Sequence, residues 1–248
     1  MDITNNIEAV YLFLFGISIL ASFIDSIAGG GGLLTTPSML LVGINPLTVL
    51  GTNKFQSSFS TFTSSRNYYT NGYLTDIHRN KYFILSFIGS SVGTLMVSRL
   101  SDEILRTLIP ILLITVAVFF IINRQVKSDL SNYIVLLTPL IFLIGFYDGF
   151  FGPGTGSFFV MLFLVFKNQS LLESTATSKL LNFASNFAAF IIFAVQGFVM
   201  WELGLIMAVG GIGGAYLGSK SAIKVGDKLI RPILVIVSIL LSLRILTS

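Results

Sequence analysis

The sequence predicts an all-α polytopic membrane protein made of two internal repeats. Hydrophobic residues make up 54% of the chain and charged residues only 10%, against about a quarter charged in a soluble domain. Several segments approach the roughly 20 apolar residues that cross a bilayer. Matched blocks also recur in the same order in both halves, a pattern sought before any other because it decides the architecture.

In chain order, the clearest apolar segments are Tyr11–Phe23, Tyr82–Val97, Ile104–Ile122, Tyr133–Phe146, Leu180–Val195, Leu203–Leu217 and Ile233–Leu246. Two shorter apolar pieces, Leu33–Gly43 and Gly156–Phe166, follow glycine-rich stretches. At about 1.5 Å per helical residue each reaches roughly 16 Å, half a bilayer core. The chain opens with Asp2 and Glu8 rather than a basic stretch, so no signal peptide is expected. With no Cys, disulfides and thiolate metal sites are excluded. The single His, His78, lies in a polar loop and reads as solvated. A net charge of +4 would suggest nucleic acid in a soluble protein; here the positive-inside bias of membrane loops accounts for it, and no nucleic-acid partner is expected.

The repeat is read block by block. "FIDSIAGGGG" aligns with "FYDGFFGPGT", matching Asp25 to Asp148, Gly29 to Gly152 and Gly31 to Gly154. "GTNKFQS" aligns with "ATSKLLN", matching Thr52 to Thr177 and Lys54 to Lys179. "NGYL" meets "QGFV", "GSSVGTLMVSRL" meets "GGIGGAYLGSKS", and "RTLIPILLI" meets "DKLIRPILVI". Residues 1–248 are expected to form one transmembrane domain, with repeat one at 7–123, repeat two at 131–246 and the polar stretch 123–132 between them.

If the short pieces count as crossings, each half has five and the repeats are inverted; if not, each has four and they are parallel. Positive charge favours five plus five. With ten crossings and the N-terminus outside, Arg66, Arg79, Lys81, Arg124, Lys127, Lys167, Lys220, Lys224, Lys228 and Arg231 fall inside, and Arg99, Arg106 and Arg244 outside. With eight crossings that contrast nearly vanishes. Inverted repeats with broken helices are a recurring transporter plan.

Lys54 and Lys179 are the residues that most need explaining. Each sits in a polar stretch at membrane depth, where a lysine must face protein or water and find a partner. Two readings stand side by side: a structural ion pair with Asp25 or Asp148, or an ammonium that binds an anionic substrate. Asn53 and Gln56 flank Lys54, while Ser178, Asn182 and Asn186 lie beside Lys179. The loops strengthen the second reading, because irregular backbone at membrane depth survives only where it is buried in protein or lines a cavity. Gly29, Gly30, Gly31 and Gly32 before one short helix offer free amides at a positive helix end. Gly152, Gly154 and Gly156 do the same before the other, with the Thr155 hydroxyl beside them. Pro37 and Pro153 are expected to fix the local turns. Glycines 210–218 read instead as helix-packing residues. Asp25 and Asp148 could be proton carriers or counter-ions of the lysines. "GPGTGS" lacks the lysine of a P-loop and its strand-loop-helix setting. No hydrolase, kinase or metal constellation is present, so neither enzyme activity nor a cofactor is expected.

The halves together resemble the TauE/SafE family of membrane permeases, the sulfite exporters and their relatives, and within it the YfcA-type branch. The carrying stretches are "FIDSIAGGGGLLTTPSMLL", "LGTNKFQSS", "GFYDGFFGPGTGSFF", "TATSKLLNFASN" and "KLIRPILVIVS". The resemblance implies a transporter of small organic or inorganic anions in the bacterial inner membrane, several relatives exporting sulfite or sulfonates. Paired lysines fit a sulfonate or oxyanion and fit a carboxylate too. The expected function is secondary transport by alternating access. A passive anion channel and a non-transporting assembly factor or sensor are the alternatives. Expected partners are the small anion and the lipid bilayer, and a second copy of the chain is left open.

Overall fold

The computed structural model describes residues 7–122 and 131–225. Among these, nine α-helices follow in order: α1 Ile7–Ala28, α2 Gly32–Leu41, α3 Pro46–Thr70, α4 Arg79–Val97, α5 Asp102–Ile122, α6 Leu137–Phe150, α7 Thr155–Lys167, α8 Leu171–Val195 and α9 Trp201–Val225. A 3₁₀ turn, Ser131–Leu136, leads into α6. The expected segment Ile233–Leu246 and the block at 227–236 lie outside the described residues. Pro37 stands inside α2 rather than at a turn, so its expected turn role is corrected; Pro153 does lie in the loop before α7.

Among the described residues, four stretches are long and apolar enough to cross a membrane: α1, Tyr133–Phe150, α8 and α9. The 25-residue α3 has the length but not the composition, because Thr52, Asn53, Lys54, Gln56, Ser58, Ser60, Thr61, Ser64 and Ser65 are all buried along it. Polar residues cluster around the helix breaks, and the outer helices expose aliphatic side chains. Leu12, Leu20, Ile84, Ile88, Leu143, Leu205 and Val209 are exposed on the outer helices, while the centre holds hydroxyls, amides and two lysines. In water that pattern would be costly; in lipid it is expected, since exposed aliphatic side chains meet acyl chains and polar groups find partners inside.

Contacts give the helix directions. Phe15 meets Gly210, Ile19 meets Gly214 and Phe23 meets Gly218, so α1 and α9 run parallel. Ser86 and Ser90 donate to the carbonyls of Leu181 and Ser185, so α4 and α8 are parallel. Gly145 lies on Ser86 and Gly149 on Ser90, making α4 and α6 parallel. On α3 and α9, Thr52 accepts from the Met200 amide and Asn67 donates to Ser219, again a parallel pair. Phe55 packs on Phe190 but Phe62 on Phe183, so α3 and α8 are antiparallel. Thus α1, α3 and α9 point one way, and α4, α6 and α8 the other. The short α2 must carry the chain back between α1 and α3, and α7 must do so between α6 and α8. The packing order is α1, α9, α3, α8, α4, α6.

Of the glycines at 210–218, all but Gly213 pack closely, as expected. Gly210, Gly214 and Gly218 lie against α1 with no room for a side chain. Close backbone approach of this kind is how membrane helices gain contact area without a hydrophobic driving force between them.

Candidate functional site

The site is built where two helix breaks meet. α1 ends at Ala28 and α6 at Phe150, and each is followed by a glycine loop that opens a short helix. Gly29, Gly30, Gly152 and Gly154 all have positive φ, between 85° and 99°. Only glycine adopts that conformation without strain, which is why the loops are glycine-rich. The loops also touch: a Cβ on Gly29 would lie 2.7 Å from the Gly156 carbonyl carbon. Ser157 Oγ donates to the Ala28 carbonyl at 2.8 Å, tying the first loop to the start of α7.

Lys54 lies eight residues into α3 after Pro46, roughly 12 Å along its axis, and Lys179 holds the same place in α8. Both are buried, at 1% and 0% exposure. Lys54 Nζ donates to Asp148 Oδ1 at 2.8 Å and to Asn186 Oδ1 at 3.1 Å. Lys179 Nζ donates to Asp25 Oδ2 at 2.9 Å. Each lysine therefore pairs with the carboxylate from the opposite half of the chain. A buried lysine needs such a partner, because an uncompensated ion in a low-dielectric interior costs several kcal/mol. Both aspartates are thus ion-paired in this structure.

A cavity of about 30 Å³ lies between the loops and α3, α6 and α8. Of the residues singled out from the sequence, Gly30, Gly31, Gly32, Asn53, Lys54, Gln56, Gly152, Gly154, Thr155, Gly156, Asn182 and Asn186 line it, with Asp25 and Asp148. Gly29, Ser178 and Lys179 do not stand on its wall. Gly29 packs against α7, and Ser178 Oγ donates to the Gly156 carbonyl at 2.7 Å. Lys179 stands one layer behind, on Asp25. Ser57, Ser60, Thr61, Ala21 and Ser22 also line the cavity, and the sequence reading did not single them out. For Ser57, Ser60 and Thr61 the signal was the hydroxyl-rich run of α3; Ala21 and Ser22, on α1, carried none.

The amides expected to cradle an anion are partly occupied. Gly29 N donates to the Asp25 carbonyl, Gly152 N to the Tyr147 carbonyl and Thr155 N to the Gly152 carbonyl. Gly31 N donates to Asp25 Oδ1 at 3.0 Å. One loop amide thus serves a carboxylate of the protein itself. Asn53 Oδ1 accepts from Thr35 Oγ1 at 2.6 Å and from Gln56 Nε2 at 3.1 Å, which orients both amides on the wall. Asp148 Oδ2, Gln56 Oε1 and Asn182 Oδ1 are buried with no hydrogen-bond partner. The residues of the wall therefore bring together a lysine ammonium and buried acceptor oxygens without a protein partner.

The model of the family described as sulfite exporter TauE/SafE matches residues 14–245. This chain belongs to the TauE/SafE family. TauE/SafE relatives cover it almost end to end. A Sinorhizobium protein named "Probable membrane transporter protein ORF9" is 42% identical over 241 residues, 95% of this chain and 92% of the relative. The Escherichia coli K12 protein named "Probable membrane transporter protein YfcA" is 37% identical over 238 residues, 94% of this chain and 88% of the relative. A Haemophilus influenzae protein named "Probable membrane transporter protein" is 37% identical over 251 residues, 98% of this chain and 95% of the relative. No solved structure matches. The TauE/SafE relatives are named as membrane transporters, and the exposed apolar helices of this chain suit a membrane protein of that family.

Proposed function

We propose that this TauE/SafE protein is a secondary transporter of small anions, sulfur oxyanions, organosulfonates or carboxylates, in the bacterial inner membrane. The observation that carries this reading is the polar cavity holding the buried Lys54 where two helix-breaking loops meet. Lys54 supplies the cationic contact and Asn53, Gln56, Asn182 and Asn186 the neutral shell. Gly30, Gly32, Gly154 and Gly156 bring backbone close to the ligand, and Lys179 sits behind the wall. Discontinuous helices with their broken ends at a central site are the form transporters give to such sites.

Alternating access would come from two inverted repeats, 7–123 and 131–246, moving against each other. Two features support the inversion. The packing order reads the same from either end once α1 is exchanged with α6, α3 with α8 and α4 with α9. Matched helices also run in opposite directions. The positive-inside rule then sets the orientation. The end of the bundle with Arg66, Arg79, Lys167, Lys220 and Lys224 faces the cytoplasm, and the end with Arg99, Arg106 and the start of α1 faces outward.

Purified protein in liposomes should accumulate labelled sulfite, methanesulfonate or acetate against its gradient. Lys54→Ala should abolish that transport while expression and monodisperse elution persist. Unaffected transport in Lys54→Ala overturns the site. Ohmic current without accumulation would instead mark a channel, and no flux of any anion a non-transporting protein.

A further inference from the structure

We propose that the two buried ion pairs do different jobs. Lys54–Asp148 opens during transport, a cation replacing Lys54 on Asp148 as the anion replaces Asp148 on Lys54. Lys179–Asp25 stays closed. This rests on the anion-transport reading above and adds its coupling.

The pairs are matched in place but not in bonding. Both oxygens of Asp25 are engaged: Oδ1 accepts from Gly31 N at 3.0 Å and Oδ2 from Lys179 Nζ at 2.9 Å. Asp148 Oδ1 accepts from Lys54, but its buried Oδ2 has no partner. The difference is in the loops. Gly31 is right-handed, at φ −55°, and turns its amide toward Asp25. Gly154, at the matching place, is left-handed at φ 88°, and the corresponding bond to Asp148 is not made. Asp148, a residue that lines the cavity, thus carries a buried acceptor oxygen without a protein partner, as do Gln56 and Asn182. Carboxylate and amide oxygens are the ligands of hard cations.

Charge supplies the rest. Lys54 Nζ is already engaged by Asp148 and Asn186, so an anion that takes the ammonium replaces Asp148 on it. Parting alone would strand a buried carboxylate, which is strongly unfavourable. A cation on Asp148 Oδ2 removes that cost: a proton from water gives the neutral acid, and a sodium ion gives a neutral pair. The empty state holds Lys54⁺ and Asp148⁻; the loaded state holds Lys54⁺, anion⁻, Asp148⁻ and one cation. For a monovalent anion both carry the same buried charge, so each favours the other's binding reciprocally.

Titratable groups beside Asp148, and on the helices packed against α6 and α7, are engaged elsewhere. Asp25 on α1 is held by Lys179 on α8. Tyr147 on α6 donates its hydroxyl to the Pro153 carbonyl at 2.6 Å. On α4, Lys81 donates to Thr138 near the start of α6 and Tyr82 packs on Phe163. On α7, Lys167 pairs with Asp76.

The experiment uses methanesulfonate and acetate as monovalent probes in liposomes carrying the purified full chain. An inward proton gradient, an inward sodium gradient and a potassium-valinomycin potential are each applied alone. Accumulation should follow one ion gradient, which names the cation, with about one ion taken up per anion, and should ignore the potential. In Asp148→Asn, any anion flux that remains should no longer follow the ion gradient and should become potential-sensitive. Asp25→Asn should lower the melting temperature and keep the ion-to-anion ratio. Accumulation driven by the potential alone in the wild-type protein, or coupling retained in Asp148→Asn, overturns the proposal and leaves anion transport standing. No movement of either probe in the wild-type protein overturns both. The wild-type ratio decides the matter if Asp148→Asn does not insert.

Discussion

Asp25 and Asp148 occupy the last turns of α1 and α6, where the negative end of a helix is least hospitable to a carboxylate. A lysine from the opposite half offsets that at each. Gly152 makes the meeting feasible, because a Cβ there would lie 2.6 Å from Lys54 Nζ. Removing one partner of a buried pair should cost far more than removing both. Lys179→Met should destabilise by about 3–5 kcal/mol, and Lys179→Met with Asp25→Leu by much less. Thermal unfolding in detergent, compared across the two variants, checks this; equal losses would mean that the ion pair is not what Lys179 contributes. The residue types of the site were legible as polar and glycine signals inside apolar surroundings. Which lysine meets which aspartate was not, because that depends on how distant helices cross.

Helix packing is carried by glycines at two parallel contacts. Gly149 leaves no space for a side chain beside the Ser90 carbonyl on α4, and Gly214 none beside the Ile19 carbonyl on α1. Leucine at either place must push the helices apart, an overpacking cost of about 1–3 kcal/mol or more. Gly149→Leu and Gly214→Leu should therefore lower the melting temperature, whereas Gly213→Leu, at a position with open space, should leave it nearly unchanged. The contrast within one glycine run distinguishes packing from general intolerance. Of the elements, α3 was hardest to read as a span, since its polar residues break the apolar run. Its 25 residues have the length of a span, and most of its polar residues are buried against other helices.

At the scale of the molecule, topology follows from direction and charge together. The chain has no cysteine, so single cysteines report without background. Arg99→Cys should react with an impermeant maleimide in intact cells, and Arg79→Cys only after permeabilisation. Labelling of both from outside would overturn the inverted arrangement. Contacts support the grouping of charges at opposite ends. Arg79 stacks over Tyr69 at the end of α3, and Asn67 meets Ser219 on α9. At the other end, Arg106 donates to Asn45 and Gln196 to Ser98.

By itself the sequence determined the membrane setting, the rough limits of the described helices other than α3, the two short pieces, and the kinds of residue at the centre. These depend on local composition and on spacing along the chain. Only the tertiary structure decided that each lysine crosses to the other half's aspartate, that Lys54 lines the cavity while Lys179 stands behind it, and that Asp148 keeps a spare oxygen where Asp25 has none. Those facts turn on helix rotation and on the handedness of single glycines, 31 and 154. Neither leaves a mark in a one-dimensional pattern.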